Sequence, residues 1–569
     1  MTHELELRDV TFQYEDSPSP ALRAVNLTID PGEVVLITGP SGSGKTTLCS
    51  CANGLIPHFH EGRLTGDVLV RGHNTRRARV GGLSSLVGLV FQDPESQLVT
   101  ASVADEVAFG PENLGVSRLE IERRVDEALA ATRLTGYDER DPHSLSGGEQ
   151  QACVIAAIYA MHPEIYVMDE PLANLDPTGR AQVLRIVVEV AKRRGKTLIL
   201  AEHSLDEVMP LVDRVVVMDG GRIVRQGTGE QVLAMGDIPR VFSRPPMARL
   251  GERLGFEKPP LTPEDLYRML RERFRLPQRS HAAAAPAAPA SGPVVIEVED
   301  VAFSYGPGTA ALKGVSLKVH EGEMVALLGR NGSGKTTLVR HMIGLLQPER
   351  GRVTVLGKNV AETPTHTLAR EVGFCFQNPN HQLVAFKVRE EIAFGLRAHE
   401  VDAAEIEGRV REALEFVGMS EYLEAEIFAL GKGQKQRLAL ASVLALRPRI
   451  LVIDEPTTGQ DPFMAQEIFD VLRRLNQAGT TILAITHKID LAAAYASRAV
   501  VLSQGQVAYD GAFPPLLSDM ELMRRHSLEP PATTQLAGLL RDHGVPPWLS
   551  SYEELAQALA ALGEASRGD

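Results

Sequence analysis

The stretch GPSGSGKTT, from Gly39 to Thr47, is the most informative part of the chain, and it recurs as GRNGSGKTT from Gly329 to Thr337. Both copies match the pattern GxxxxGK[ST]. Each follows an apolar run, EVVLITG or EMVALLG, that predicts a buried strand, and each is expected to open a helix. In that context the glycines let backbone N–H groups surround a phosphate, and the helix N-terminus favours the anion. The sequence therefore predicts two phosphate-binding loops.

The two loops supply most of the predicted nucleotide contacts. Lys45 and Lys335 are expected to reach the β- and γ-phosphates, and Thr46 and Thr336 to ligate Mg²⁺ through their hydroxyls. The predicted ATP-binding set covers both loops in full: Gly39, Pro40, Ser41, Gly42, Ser43, Gly44, Lys45, Thr46, Thr47, Gly329, Arg330, Asn331, Gly332, Ser333, Gly334, Lys335, Thr336 and Thr337. ATP and Mg²⁺ are therefore the predicted cofactors.

Other stretches repeat as well, always in the same order along the chain. FQDPESQLV begins at Phe91 and recurs as FQNPNHQLV at Phe376. VMDEP at Val167 recurs as VIDEP at Val452, and LAEHSLDEV has a counterpart in AITHKIDLA. Ordered repeats of this kind indicate an internal duplication, so the chain is predicted to hold two copies of one domain.

The pattern of each copy predicts its fold class. Each opens with strand-like alternation, LELRDVTFQY or VIEVEDVAFSY, and then alternates strands with amphipathic helical stretches, which predicts an α/β fold with a largely parallel sheet. A smaller repeat of Pro-Pro pairs and leucines follows each copy; it indicates either a generic helical tail or an appendage that holds the halves together. The predicted segments are 1–235 (first domain), 236–279 (first appendage), 280–293 (Ala/Pro linker), 294–515 (second domain) and 516–569 (second appendage).

Composition excludes several classes of protein. With 569 residues, 44% hydrophobic and 23% charged, the chain has the make-up of an ordinary multidomain globular protein. No apolar run reaches the ~18 residues that span a bilayer, and the acidic N-terminal stretch MTHELELRDV lacks the pattern of a signal peptide. The four cysteines have neither metal-ligand nor disulfide spacing. The net charge of −14 argues against a protein that coats nucleic acid, so no nucleic-acid partner is expected.

An acid pair ends an apolar strand in each copy. IYVMDEP contains Asp169 and Glu170, and ILVIDEP contains Asp454 and Glu455. A buried strand that delivers an aspartate to the Mg²⁺ shell suits a P-loop enzyme. The neighbouring glutamate is placed to polarise an attacking water as general base. The sequence therefore predicts ATP hydrolysis.

The stretch LSGGEQQ, from Leu145 to Gln151, gives the most specific signal. It resembles the signature that defines the ATP-binding-cassette (ABC) ATPases among P-loop proteins, and the resemblance covers roughly residues 4–235 and 294–515. It implies two tandem ABC-type nucleotide-binding domains, each with a helical signature subdomain and a small C-terminal appendage. In that family the signature of one cassette closes over ATP held by the other. The cassettes are expected to pair within the chain, with pairing between two chains as the alternative.

The resemblance also implies roles for residues outside the two loops. Gln92 and Gln377, each in an FQ(D/N)P context, are similar to the glutamines that sense Mg²⁺ and the attacking water. His203 and His487 close apolar strands and resemble the switch histidine that contacts the γ-phosphate. The implied catalytic set is Gln92, Glu170, His203, Gln377, Glu455 and His487. The implied Mg²⁺ ligands are Thr46, Gln92, Asp169, Thr336, Gln377 and Asp454.

Two further pairs of residues match family positions. Tyr14 and Tyr305 are similar to the aromatic residue that stacks on adenine. Asp176 and Asp461 match the loop after the acid pair that communicates across the dimer. Both assignments are implied by the resemblance alone.

The second copy departs from the signature, because it reads LGKGQKQ. The signature residues expected at ATP are Ser146, Gly147 and Gly148 in the first copy and Gly431, Lys432 and Gly433 in the second. Gly431 removes a hydroxyl, and Lys432 adds a Cβ and a long side chain where phosphate is expected to approach the backbone. Because the ammonium of Lys432 would still attract phosphate, ATP binding at the site built on Lys45 is expected to survive better than turnover. A tolerated variant with two equal sites is the alternative.

The stretch FQDPESQLVTASVADEVAFGPENLG, from Phe91 to Gly115, and its repeat resemble the ATPases of energy-coupling-factor (ECF) importers, which take up vitamins and transition-metal ions such as cobalt and nickel. In those transporters the segment receives coupling helices of the transmembrane partner. The resemblance implies a peripheral ATPase at the cytoplasmic face of the cell membrane that works with an integral membrane transport subunit and a substrate-binding membrane component. A fused sugar-importer ATPase and a soluble tandem cassette protein acting on ribosomes are the alternatives.

Overall fold

In the computed structural model the chain divides into two compact units, Met1–Leu266 and Tyr267–Asp569. The structure describes residues 3–15, 17–173, 175–203, 205–234, 244–274, 276, 292–306, 310–457, 460 and 462–565. Among these residues, no helix combines the length and the apolar character that crossing a membrane requires. Residues 280–291 of the predicted linker and Asp461 lie outside the described residues.

The first unit alternates strands and helices, as its sequence pattern predicts. Its strands are β1 (Leu5–Tyr14), β2 (Leu22–Ile29), β3 (Val34–Thr38), β4 (Gly62–Val70), β5 (His73–Asn74), β6 (Val87–Val90), β7 (Ile165–Asp169), β8 (Thr197–Ala201), β9 (Arg214–Asp219) and β10 (Arg222–Gly227). Its helices are α1 (Lys45–Ala52), α2 (Leu55–His58), α3 (Val80–Ser84), α4 (Val103–Asn113), α5 (Arg118–Ala131), α6 (Gly147–Ala160), α7 (Pro177–Arg194), α8 (Leu205–Val208), α9 (Gly229–Ala234) and α10 (Pro246–Arg253), followed by α11 (Pro263–Arg273) at the unit boundary.

These strands form two sheets. A six-stranded sheet has the order β10-β9-β3-β8-β7-β6, and its pairs are parallel except for β9 with β10. All five residues of β3, of β7 and of β8 are buried, as expected for parallel strands covered on both faces. A four-stranded antiparallel sheet has the order β2-β1-β4-β5. The predicted α/β fold with a largely parallel sheet is confirmed.

Helices α4, α5 and α6 form a helical layer that carries the signature stretch. Their apolar residues recur at helical spacing, and Val107, Leu129 and Ile155 are all buried in one cluster. The same cluster includes Leu36 of β3 and Met168 of β7, so this layer shares a core with the parallel sheet.

The second unit repeats this architecture. Its strands are β11 (Val294–Ser304), β12 (Ala310–His320), β13 (Met324–Leu328), β14 (Arg350–Val355), β15 (Lys358–Asn359), β16 (Val372–Cys375), β17 (Ile450–Asp454), β18 (Thr481–Ile485), β19 (Arg498–Ser503) and β20 (Gln506–Gly511). Its helices are α12 (Lys335–Met342), α13 (Thr365–Leu368), α14 (Val388–Ala398), α15 (Ala403–Phe416), α16 (Lys432–Leu444), α17 (Pro462–Gln477), α18 (Ile489–Tyr495), α19 (Phe513–Ser518), α20 (Met520–Arg525), α21 (Ala532–Leu539) and α22 (Tyr552–Ala565). Its sheets, β16-β17-β18-β13-β19-β20 and β12-β11-β14-β15, have the same strand order as those of the first unit.

The register of the parallel sheet brings the predicted catalytic residues together. In the first unit Ala201 of β8 lies opposite both Asp169 of β7 and Ile37 of β3, so the carboxyl ends of three strands meet. In the second unit Ile485 of β18 lies opposite Asp454 of β17 in the same way. The loops that follow these strands therefore share one edge of each sheet, which is where parallel α/β sheets bind ligands.

Candidate nucleotide-binding and catalytic sites

The two phosphate loops need glycine for reasons that the backbone makes explicit. Gly39 has φ 152°, and a Cβ there would lie 2.1 Å from the carbonyl oxygen of Met218. Gly44 has φ 100°, and a Cβ there would lie 2.5 Å from the carbonyl oxygen of Ala21. Both positions are therefore closed to any side chain. The second loop repeats the geometry at Gly329.

The loop lysines point into their own loops. Lys45 is buried, and its Nζ donates to the carbonyl oxygens of Gly39 and Pro40, both at 3.0 Å. The pKa of Lys45 is lowered, because the effect of burial exceeds the opposing effect of the nearby Glu170 and Asp169 carboxylates. In the second loop Nζ of Lys335 lies 2.7 Å from the oxygen of residue 329 and 3.0 Å from that of residue 330.

Two buried hydroxyls support the assignment of these loops as phosphate sites. The Oγ atoms of Ser43 and Ser333 are buried and have no hydrogen-bond partner among the described residues. A buried hydroxyl without a partner is costly, and a phosphate oxygen in the loop would satisfy it. The loops therefore fit a nucleotide phosphate.

The threonine and aspartate predicted to hold Mg²⁺ lie beside each other in both units. Thr336 Oγ1 donates to Asp454 Oδ2 at 2.9 Å, and Thr46 makes the corresponding hydrogen bond to Asp169. Burial raises the pKa of Asp169 to about 6 and also raises the pKa of Asp454. Asp169 Oδ1 is buried without a hydrogen-bond partner among the described residues. A hydroxyl and a carboxylate are oxygen donors of the kind that Mg²⁺ prefers, so the residues fit this ion.

The predicted catalytic residues of the first unit are in contact. Gln92 Nε2 donates to Glu170 Oε2 at 2.6 Å, and His203 Nε2 lies 2.7 Å from Glu170 Oε1. Glu170 itself has φ 48°, in the left-handed region that a glutamate rarely adopts. Backbone strain of this kind is concentrated at functional sites. Glu170 is thus held between Gln92 and His203, the glutamine and the histidine of the implied catalytic set.

The second unit assembles its residues differently. His487 Nε2 lies 3.0 Å from Glu455 Oε1 and 3.0 Å from Asn331 Oδ1 of the phosphate loop. Glu455 also has φ 48°, and burial raises its pKa to about 7. Gln377 is exposed, and the described residues show no hydrogen bond between it and Glu455. The structure therefore brings Gln92, but not Gln377, to the glutamate predicted as the general base of its own unit.

One buried carboxylate of the first unit escaped prediction. Glu202 lies between Ala201 and His203, is 4% exposed, and accepts hydrogen bonds from the backbone N–H groups of Leu172 and His203. The second unit has Thr486 at the equivalent position. The signal in the sequence is the charge that ends the apolar strand in TLILAEH, which the second copy, TILAITH, lacks.

The tyrosines predicted to stack on adenine lie beside the phosphate loops. Tyr14 OH is 3.2 Å from Thr47 Oγ1, and Tyr305 OH is 3.3 Å from Thr337 Oγ1. Residue Tyr305 is 58% exposed, whereas Tyr14 is half-buried. Stacking on a base stays a prediction. Asp176 caps α7, since its Oδ1 accepts from the N–H of residue 179 at 2.7 Å.

The signature stretches begin helices α6 and α16. In the first unit the Ser146 hydroxyl donates to Glu149 Oε2 at 2.7 Å. A Cβ on Gly147 would meet only Leu175 Cδ2, at 3.8 Å, and Gly147 has no left-handed φ. The fold of the cassette therefore does not require glycine at this position. The second unit places Lys432 there, at the first position of α16.

A parallel sheet with a phosphate loop, an acid pair and a switch histidine at its carboxyl edge defines a P-loop ATPase cassette, present twice. The family model described as ABC transporter matches residues 22–173 and 312–458. Proteins provisionally named ABC transporter ATP-binding proteins are similar over nearly the whole chain. The protein from Caldanaerobacter subterraneus subsp. tengcongensis is 38% identical, over 94% of this chain and 96% of its own. The protein from Methanosarcina mazei is 39% identical, over 98% and 97%.

Among solved structures, cbiO1 from Clostridium perfringens, described as part of the ABC transporter complex cbiONQ, is 33% identical with a TM-score of 0.38. It covers 41% of this chain and 94% of its own. The family match and the relatives establish that the chain belongs to the ABC transporter family. It is an ABC ATPase, the ATP-binding subunit of a transporter, with two tandem cassettes.

Proposed function

We propose that the chain powers the import of a small molecule, a vitamin or a transition-metal ion, through separate membrane components. It would act at the cytoplasmic face of the membrane, bound to an integral membrane transport subunit that works with a substrate-binding membrane component. The family membership supports ATP-driven transport. The ECF type of importer rests on the segment that follows Gln92 and its repeat after Gln377.

The observation that carries this proposal is an exposed apolar surface on that segment in both units. Val99 is 64% exposed and Phe109 is 49% exposed in the first unit. In the second unit the segment exposes Val384 (68%), Phe386 (57%) and Phe394 (54%), and the exposed Phe428 (65%) lies beside Phe386. Clustered exposed apolar residues mark interaction surfaces, and an apolar helix of a membrane subunit is the partner that fits them.

A buried glutamate shapes this surface in each unit. Glu106 Oε2 accepts from the N–H groups of Val99 and Thr100, both at 2.9 Å. In the second unit Glu391 Oε2 accepts from Val384 and Ala385 at 2.8 and 2.7 Å. A carboxylate that holds two successive backbone N–H groups fixes the loop and so presents its apolar side chains outward. The surface is therefore built by the fold rather than left as a loose loop.

The chemistry of hydrolysis follows from the residues at the sheet edge. Glu170 and Glu455 are placed to orient and polarise the attacking water, and the histidine beside each fixes its carboxylate. The loop lysines and backbone N–H groups bind the phosphates. Mg²⁺, held by the threonine and aspartate of each unit, would neutralise charge on the β- and γ-phosphates.

We further propose that ATP draws the two cassettes together, so that each signature completes the site of the other cassette. The intact signature at Ser146 would then serve Glu455, and the altered signature at Lys432 would serve Glu170. Gly147 supports this view, because its own cassette leaves room for a side chain there. Its glycine is needed only if another group approaches it.

The test is copurification of the tagged chain from detergent-solubilised membranes of its own host, followed by uptake assays across vitamins and metal ions. We expect an integral membrane subunit to copurify, and deletion of the gene for the chain to abolish uptake of one such solute. Recovery of ribosomes alone would overturn the importer proposal. Uptake of a sugar instead would overturn its ECF type.

A further inference from the structure

The first cassette contains a buried carboxylate bridge between its switch loop and its acid pair. Glu202 Oε1 accepts from the N–H of Leu172 at 2.9 Å, and Oε2 accepts from the N–H of His203 at 3.2 Å. Leu172 lies two residues after Glu170, and His203 contacts Glu170 directly. One side chain therefore ties together the two loops that place the predicted general base and its histidine.

A charge cluster surrounds this carboxylate. The positive charge of Arg180 on α7 lowers the pKa of Glu202. Arg180 Nη2 also lies 2.9 Å from Glu207 Oε1 on α8. Burial nevertheless dominates and raises the pKa of Glu202 to about 7. The cluster thus joins the helix capped by Asp176 to the helix that follows the switch histidine.

The second cassette replaces the whole cluster. Arg180, Glu202 and Glu207 correspond to Ala465, Thr486 and Leu491 in the aligned repeats. Ala465 and Thr486 are buried, and Leu491 packs against the apolar core of its unit. The Thr486 hydroxyl accepts from the N–H of Lys488 at 3.0 Å, a contact within the switch loop alone. At these three positions together the second cassette has uncharged residues where the first has charged ones.

We propose that Glu202 is a positioning residue for ATP hydrolysis in the first cassette. By accepting both backbone N–H groups it fixes the switch loop against the turn after Glu170, and so sets the contact between His203 and Glu170. Small misplacements of catalytic groups are costly, and loss of either hydrogen bond frees one of the two loops. The second cassette orients its histidine otherwise, through Asn331.

The experiment compares one substitution with three. All variants carry Glu455→Gln, so that the remaining turnover reports the first cassette. Glu202→Thr, which introduces the residue of the second cassette, should lower kcat on the order of tenfold and change KM less than about twofold. The triple variant R180A/E202T/E207L installs the complete set of the second cassette. The triple variant should have the Tm of the Glu455→Gln parent but the low kcat of the Glu202→Thr variant.

Recovery of kcat by the triple variant would overturn the proposal, because it would show that Glu202 only balances buried charge. An unchanged kcat for Glu202→Thr would overturn it as well.

If Glu455→Gln alone abolishes turnover, the proposal is tested instead by the hydrogen-exchange rate of the peptide covering residues 202–206, measured in the same variants. Exchange should be faster in both the single and the triple variant. Parent-like protection in the triple variant would contradict the bridge.

Discussion

The two cassettes share their sheets and phosphate loops and differ in the side chains that surround the nucleotide. In the first, Glu170 contacts both Gln92 and His203, whereas in the second Gln377 is exposed. The first carries an intact signature at Ser146, and the second an altered one. The parts that bind phosphate through the backbone are thus kept twice, and the parts that act through side chains have diverged.

If each signature completes the site of the opposite cassette, the intact signature and the glutamate that contacts Gln92 and His203 belong to different sites. The site of Glu170 would combine a glutamate in contact with Gln92 and His203 with the altered signature. The site of Glu455 would combine an exposed glutamine with the intact signature. We expect the signature to decide turnover, because fixed groups aimed at the transferred phosphate supply most of the catalytic stabilisation.

The largest effect is expected from the two glutamates that we predict to be general bases. Glu455→Gln should lower the ATPase rate by about 10²-fold or more, since general-base catalysis contributes 10²–10⁴-fold. Glu170→Gln should leave the rate almost unchanged, because the altered signature at Lys432 would complete that site and it would contribute little turnover. The measurement is steady-state phosphate release by the purified chain at saturating ATP. Equal losses from the two substitutions would show that the altered signature has no catalytic consequence.

A smaller effect is expected when the altered signature is copied into the first cassette. Gly147→Lys should lower the ATPase rate about tenfold, while the Tm changes little, because a Cβ at this position would meet only Leu175 at 3.8 Å. The rate is measured as phosphate release and the Tm by thermal unfolding.

The control for this substitution is the reverse change in the second cassette. Lys432→Gly together with Gly431→Ser restores the signature pattern and should raise the rate. A Gly147→Lys variant that keeps the parent rate would show that phosphate does not approach this backbone.

The fold and the core of each site follow from the sequence, because their signals are local. The loop from Gly39 to Thr47 adopts a backbone geometry that only glycine tolerates at certain positions, and the sequence shows glycine there. Buried parallel strands appear in the sequence as unbroken apolar runs. The bridge made by Glu202 could not be predicted in this way. Its partner at Leu172 is 30 residues away, and the contact exists only because two strands are neighbours in the sheet.

The exposure of Gln377 could not be predicted either. Its sequence context matches that of Gln92, and the difference between them lies in the three-dimensional course of the loop.

An effect of several-fold is expected at the exposed apolar surfaces. The second unit has Phe386 and Phe428, whose ring centroids are 5.5 Å apart, where the first has Ala101 and His143. F386D/F428D should reduce copurification of the membrane subunit several-fold, because a charge opposes burial of this surface. The matched A101D/H143D variant should have a weaker effect. ATPase activity of the isolated chain should be kept by both, and equal losses of the partner would show that the surfaces are equivalent.

The smallest effect concerns pH and distinguishes Glu202 from Thr486. Burial raises the pKa of Glu202 from 4.5 to about 7, so the folded state binds its proton more tightly than the unfolded state. The resulting stabilisation is complete below about pH 4.5 and is lost as the pH rises through 7, to a total of about 3 kcal/mol at most. Glu202→Gln removes the titration. The Tm of the parent relative to this variant should therefore fall by several degrees between pH 5 and pH 7.5, since ~1 kcal/mol shifts the Tm of a domain this size by ~2–4 °C. Thr486→Ser adds no titrating group, and its Tm difference from the parent should stay constant. A Tm difference for Glu202→Gln that is independent of pH would mean that the carboxylate is ionised throughout this range.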